Sequence, residues 1–219
     1  MAVSASDDLR PWFDLQSATL DRVHPSWFRQ IEPQLILAAR RNRLGRRWLA
    51  NHLAVISPAL FSLTVWRSEA AERLRAVAWL AQPLEDPTEC ALELGGVALA
   101  GALRTVVMRD DVMKLKLALG VSRYDRVLQF QAAPAAAEQM AWTRGTVAEI
   151  ADYVSRRGAA ELAGYADRAH PACSESVRLS FERHWWSVIT QGTLTSASVE
   201  TALRPSDALY EVVLTGTDA

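Results

Sequence analysis

The chain is nearly without lysine: Lys114 and Lys116 are the only two, and the rest of its 24 basic residues are arginines. A bias of that kind can reflect genome composition or a demand for planar, bidentate contacts, and composition is the weightier explanation. Cysteine is as scarce, with Cys90 and Cys173 far apart in a chain of 219 residues. A globule of that size buries about 70% of the surface its unfolded chain exposes and needs no disulfide to hold it. That usage fits a reducing compartment. Excess charge is missing too. The 24 basic residues stand against 25 acidic ones, for a net charge of -1, so no global field draws the molecule to nucleic acid or to an anionic membrane. The longest run without charge or obvious breaker polarity, Leu94 to Leu103, is roughly half the ~20 residues of a membrane-spanning helix and reads as a buried helix. The start of the chain carries Asp7 and Asp8 where a secretory signal needs basic residues and an apolar stretch, so no export is expected.

The residue constellations of common catalytic and metal sites are also lacking. His24, His52, His170 and His184 form no closely spaced pair, and neither cysteine belongs to a Cys-x-x-Cys unit, which excludes the usual ligand spacings for a metal. His170 and Cys173 are close enough to consider as a reactive pair. Pro171 between them makes a turn and no oxyanion donor accompanies them, so a loop histidine beside a half-buried cysteine is the better reading. Gly96 and Gly101 have the glycine separation of a phosphate-binding loop, but Ala102 and Leu103 stand where Lys and Ser or Thr are needed. No Gly-x-Ser-x-Gly elbow is present. Asp110 and Asp111 are adjacent and on a helix point to different faces, so capping explains Asp110 better than acid–base work. No cofactor is expected, and the chain reads as a non-enzyme.

What remains is helical patterning. Half the residues are apolar and 22% charged, a globular balance. The expected fold is all-α or predominantly α, a single compact multi-helix domain over 11–215. Residues 1–10 are expected to be frayed, and the proline- and acid-rich stretch 82–87 is the candidate point of subdivision. Trp12, Phe13 and Leu15 mark the first structured element. Leu35, Ile36, Ala38 and Ala39 run into Arg40, Arg41 and Arg43, as for a helix carrying cations toward its C-terminus, with Gly45 as its stop or kink. Trp48, Leu49, His52, Leu53 and Ile56 recur at helical spacing before Ser57-Pro58, where a new helix should start. An amphipathic helix is expected over Glu69–Ala81, with Leu74, Val77, Ala78 and Ala81 on its packing face. After the 82–87 linker, with Thr88 as cap, a helix over about Glu89–Met108 is apolar nearly all round. Its Gly95, Gly96 and Gly101 cost propensity unless they permit a close crossing, so it belongs at the centre of the fold.

Asp110 can cap a helix ending at Gly120, and Ser122 with Asp125 make a box-like start to the next. Residues 114–119 also alternate with period two, and with 209–214 they leave open a short strand pair. Residues 131–138, Ala-rich around Pro134, read as a linker or short turn. Thr146-Val147-Ala148-Glu149 is a capping box opening a helix that Gly158 should close. His170-Pro171 breaks the chain, after which Val177, Phe181, Trp185 and Val188 mark one strong late helix.

Two features stand out as candidate contacts. The densest charge is Arg40, Arg41, Arg43, Arg46 and Arg47, which suits an acidic protein surface or phosphates; the alternative is a solvated helix end stabilised by the macrodipole. Among the tryptophans, Trp27, Trp48, Trp79, Trp142, Trp185 and Trp186 fall mostly at apolar helical positions and should pack in the core. Trp185 and Trp186 are about 100° apart on a helix, so one of them, Trp186, is the candidate to face a partner. Three function classes follow: an adaptor docking on two proteins, a helical regulator binding nucleic acid through the Arg40–Arg47 cluster, and an enzyme with a deep polar cleft. The net charge puts nucleic acid behind protein binding.

The segments Pro25-Ser26-Trp27-Phe28-Arg29, Leu44-Gly45-Arg46-Arg47-Trp48-Leu49 and above all Leu92 to Leu128 carry a resemblance to a known family. In the last, an apolar Leu-Gly helix runs into Leu103 to Val107, then Asp111 to Leu119, then Tyr124 to Leu128. In their order these segments resemble the SctK family of type III secretion systems, and more closely its Hrp-type branch, over about two thirds of the chain as a pattern. The resemblance implies a non-enzymatic cytoplasmic adaptor of the sorting platform, peripheral to the inner membrane through protein contacts and not inserted in it. Its implied partners are the cytoplasmic domain of an SctD-type inner-membrane ring protein and an SctQ-type pod protein, with no nucleic acid.

Overall fold

A computed structural model describes residues 10–29, 31–61, 87–130 and 142–187. The described residues are predominantly helical and contain no strand. In chain order the helices are α1 (Arg10–Arg22), a 3-10 turn over Pro25–Trp27, α2 (Pro33–Arg40), α3 (Arg43–Ile56) and α4 (Pro58–Phe61). They continue with α5 (Pro87–Ala98), α6 (Ala100–Thr105), α7 (Arg109–Leu119), α8 (Val121–Val127), α9 (Val147–Ala169), α10 (Pro171–Leu179) and a 3-10 helix over Arg183–Ser187. The sequence expectations for residues 1–9, Glu69–Ala81, 82–86, 131–138 and 207–214, and for Val188, lie outside the described residues.

The described residues fall into two compact units, the first drawn from 10–29, 31–61, 87–88 and 162–187, the second from 89–130 and 142–161. In the first, α1 and α10 are joined by a buried hydroxyl pair, Thr19 Oγ1 to Ser176 Oγ at 2.5 Å, and by the His24 amide donating to Leu179 O at 2.7 Å. Leu15, Leu20, Val23, Leu49, Leu53 and Val177 are buried there. The short α4 is tied at both ends of the chain: Trp12 Nε1 donates to Leu60 O, and the Leu60 amide donates to the Glu175 carboxylate at 2.9 Å. Burial pushes the Glu175 carboxyl above its usual range, while the amides of Leu60 and Ala59 and the charge of Arg178 act against the shift.

The second unit is built around α5, whose residues Ala91 to Val97 are all buried, as the all-round apolar pattern required. The helix does not run to Met108. It breaks at Leu99, resumes as α6, and ends at Thr105, with Val106 extended. Gly95 and Gly158 mark a crossing of α5 over α9. A Cβ on Gly158 would lie 2.6 Å from both Ala91 C and Gly95 N, and one on Gly95 would lie 2.7 Å from Val154 C. Gly158 therefore does not close a helix. It sits inside α9, where the absence of a side chain lets two backbones touch, and α9 continues to Ala169.

Acid and base lock α5 to α8. The buried Glu93 carboxylate accepts from Arg123 Nε at 3.0 Å and from Arg126 Nε at 2.9 Å, and Arg123 also reaches Glu89. Donating to the Glu93 carboxylate raises the Arg126 guanidinium above its ordinary value, against burial.

Residues 114–119 are helical. Leu115 and Leu119, one turn apart, are buried, and Leu117 faces outward; the period-two pattern was compatible with both structures, and the i, i+4 pair decides between them. Gly120, at φ 84°, separates α7 from α8 in a conformation that suits glycine. Gly120 is the C-cap of α7 and the N-cap of α8, and Met108 is the N-cap of α7, so Asp110 and Ser122 lie inside helical first turns and cap neither. Thr88 likewise falls inside α5, which starts at Pro87. The Thr146–Glu149 box forms as the spacing required, with the Thr146 amide donating to Glu149 Oε2 at 2.8 Å and the Glu149 amide to Thr146 Oγ1 at 3.3 Å. The late helix expected through Trp185 stops at Leu179, turns at Ser180 and re-forms as a 3-10 segment, with Val177, Phe181 and Trp185 still buried.

Candidate functional site

The arginine cluster spans a helix boundary. Arg40 ends α2, Arg41 is its C-cap, and Asn42 opens α3 by accepting the Gly45 amide on Oδ1 at 2.7 Å. Gly45 is thus inside the first turn of α3 and is not the stop expected for the preceding helix. A Cβ there would lie 2.7 Å from Ala39 C, so glycine allows α3 to leave α2 in a tight turn. The consequence is electrostatic. Arg40 sits at a helix C-terminus, where a cation is favoured, but Arg43, Arg46 and Arg47 sit at a helix N-terminus, where the dipole disfavours them. Macrodipole stabilisation therefore does not account for the cluster.

Two of the five turn inward. Arg40 donates to Val23 O, and burial pushes its guanidinium below the ordinary value while the Asp21 carboxylate opposes the shift. Arg46 reaches Asp21 and donates to Ser17 Oγ at 2.7 Å and Ser17 O at 3.0 Å, fastening α3 to α1. Arg41, Arg43 and Arg47 are exposed, and no ion pair involves them among the described residues. Residues 33–56 contain no Asp or Glu at all, a signal legible in the sequence that counting arginines alone does not reveal.

The outward face of α3 carries apolar residues beside these cations. Leu44 is 79% exposed, Trp48 45% and Val55 85%, with Arg47 and Asn51 between them. Trp48 was expected in the core; only Leu49 and Leu53 are buried on this helix, because Trp48 lies about 100° round from Leu49. Its ring is not loose. It stacks on buried Phe28 with centroids 6.4 Å apart, and His52 lies 5.2 Å from Phe28. The face is thus a braced aromatic with an exposed edge, flanked by guanidiniums.

Trp186 does not join the arginines in any described contact. It is half-buried, donates from Nε1 to Arg178 O at 3.1 Å, lies under the Arg178 guanidinium and meets Phe181 edge-on. Trp27 is held similarly, donating to Phe181 O at 2.9 Å with Arg183 over its ring.

Two of the histidines have local structural roles. His170 and Cys173 are both buried, and His170 Nδ1 caps α10 by accepting the Ala172 amide at 3.0 Å, which replaces the expected loop histidine beside a half-buried cysteine. His24 caps the first 3-10 turn through Ser26; burial lowers its pKa, with Glu182 opposing and Arg40 and His184 reinforcing the shift. Among the described residues, no group of three or more His, Cys, Asp or Glu is placed to hold a metal, and no helix is long and apolar enough to cross a membrane.

In comparisons with known proteins, no family model, no curated protein and no solved structure matches the chain.

Proposed function

We propose that this chain is a non-enzymatic adaptor that docks other proteins, with the outward face of α3 as one of its contact surfaces. The observation that supports the reading is the pairing of exposed Leu44 and Trp48 with Arg41, Arg43 and Arg47, three cations that no described carboxylate neutralises. Aromatic and arginine side chains together are the residues that dominate protein interfaces. The exposed arginines of this face make no ion pair among the described residues, and Arg43 and Arg47 oppose the α3 dipole.

Two of the segments that resemble the SctK family meet here, since Phe28 of the first supports Trp48 of the second. On that resemblance the adaptor belongs to a type III secretion sorting platform, at the cytoplasmic side of the inner membrane. It links the cytoplasmic domain of an SctD-type ring protein to an SctQ-type pod protein. Pull-down of each component by the purified chain tests the role. Capture of both is expected, with one of them lost on the double charge reversal Arg43→Glu and Arg47→Glu. Capture of neither by the unaltered chain would reject the role, and capture of both by the double variant would reject the surface. Nucleic-acid binding through the same arginines is the second reading. Retention on duplex DNA or heparin that falls steeply with salt would favour it.

A further inference from the structure

We infer that the α3 face receives an amphipathic helix whose carboxylates are gathered at one end; the inference rests on the adaptor reading above and specifies the chemistry of the partner segment. Leu44, Arg47, Trp48, Asn51 and Val55 are exposed at spacings of i, i+3, i+4, i+7 and i+11, which puts them in one stripe about 16 Å long, or three turns. A groove-docking helix presents its anchors at the same recurrence.

Charge decides among the occupants. Every cation of this face, Arg41, Arg43 and Arg47, lies at its N-terminal end, and residues 48–56 carry neither Asp, Glu, Lys nor Arg. The positive end of the α3 dipole falls at the same place. A second copy laid parallel would bring like charges together, and one laid antiparallel would set each arginine cluster against the uncharged end and leave it unpaired. A phosphate backbone would use the arginines and leave Leu44 and Val55 in water. A helix with two carboxylates three or four residues apart matches Arg43 and Arg47, which are themselves one turn apart, and guanidinium–carboxylate pairs form two parallel hydrogen bonds. Its apolar stripe then covers Leu44, Trp48 and Val55.

Fluorescence anisotropy with the full chain tests this. The probes are two labelled helical peptides of about 16 residues with identical composition and the same leucine stripe. One has its glutamate pair at one end of the stripe, the other has the pair on the opposite face; a labelled DNA duplex is the third probe. The first peptide should bind about tenfold more tightly than the second, and Arg43→Ala with Arg47→Ala, or Trp48→Ala, should each cost about tenfold. Leu117→Ala, on α7, should change nothing. The arginine variant keeps the comparison sound if Trp48→Ala lowers the folded fraction, because its side chains make no described ion pair.

Failure of the first peptide to bind, equal binding of both peptides, insensitivity to the arginine variant, or tighter binding of DNA would overturn the inference. The platform role fails separately. If the peptide preference holds and neither secretion component is captured, the role is wrong and the partner chemistry stands. If both components are captured whether or not the α3 face is altered, the partner chemistry is wrong and the role stands.

Discussion

Replacing Gly158 by alanine sets local and tertiary effects against each other, and the sign of the outcome tells which governs. Gly158 is inside α9, a helix of 23 residues. There alanine is favoured over glycine by about 1 kcal/mol through backbone entropy and propensity. Considered alone, α9 should gain, and for a chain of this size the melting temperature should rise by about 2 to 4 °C. The crossing with α5 says otherwise. The added Cβ would lie 2.6 Å from Ala91 C and Gly95 N, where ordinary contact begins at 3.4 Å. Both neighbours are backbone atoms of a buried helix, so no side chain can swing away and the helices must separate.

Overpacking of that kind costs about 1 to 3 kcal/mol, and rigid backbone on both sides places it at the upper end, about 3. Subtracting the propensity gain leaves a net loss of about 2 kcal/mol, or a melting temperature lower by about 4 to 8 °C. Thermal unfolding followed by far-UV circular dichroism reads the sign directly. Gly95→Ala should behave alike. The double variant should lose less than the sum, because one separation relieves both clashes. A Gly158→Ala protein as stable as its parent, or more so, would show that the two helices do not meet at this crossing.

Three other outcomes follow from the structure. Arg43→Glu should leave the fold intact and raise its stability by about 0.5 kcal/mol, since it puts an acid at the first position of α3; denaturant unfolding checks this, and a loss of more than that would mean Arg43 has an internal partner. Glu93→Ala should cost about 2 to 3 kcal/mol, short of the full penalty for breaking a buried pair because Arg126 remains half in water; a neutral effect in the same assay would remove the clamp between α5 and α8. For His24 the folded pKa lies below the ordinary 6.5, so in that window the unfolded chain holds the extra proton and stability falls as pH drops from about 6.5 toward the folded value. His24→Gln should flatten that part of the stability–pH curve relative to the parent, and an unchanged slope would assign it to another group.

Local signals were legible only in part: Thr88, Asp110 and Ser122 carry cap chemistry at the right spacing yet lie inside helices. The capping box at Thr146 and Glu149, the break at His170-Pro171 and the stop at Gly120 involve atoms a few residues apart, and each formed where the spacing put it. The all-round apolar pattern of α5 likewise announced a buried helix. Gly158 reads as a helix end in the sequence and lies inside α9 for a physical reason. Glycine ends helices through its backbone freedom but also lets helices touch, and only the presence of Ala91 and Gly95 opposite distinguishes the two. Trp48 was assigned to the core on helical spacing, yet the stripe actually buried runs through Leu49 and Leu53.

The candidate surface shows the same division. Sequence alone determined that the chain is helical, that its charge is balanced overall, and that five arginines crowd into Arg40 to Arg47 with no acid nearby, because composition and local propensity act without reference to distant residues. Which of those arginines face outward was decided only in three dimensions. Arg40 found Val23 O and Arg46 found Asp21 and Ser17, partners 17 to 29 residues away in the chain, and the tight turn at Asn42 and Gly45 left Arg41, Arg43 and Arg47 in water beside Trp48. Burial and exposure depend on what packs against a helix, and that information is held by the other helices.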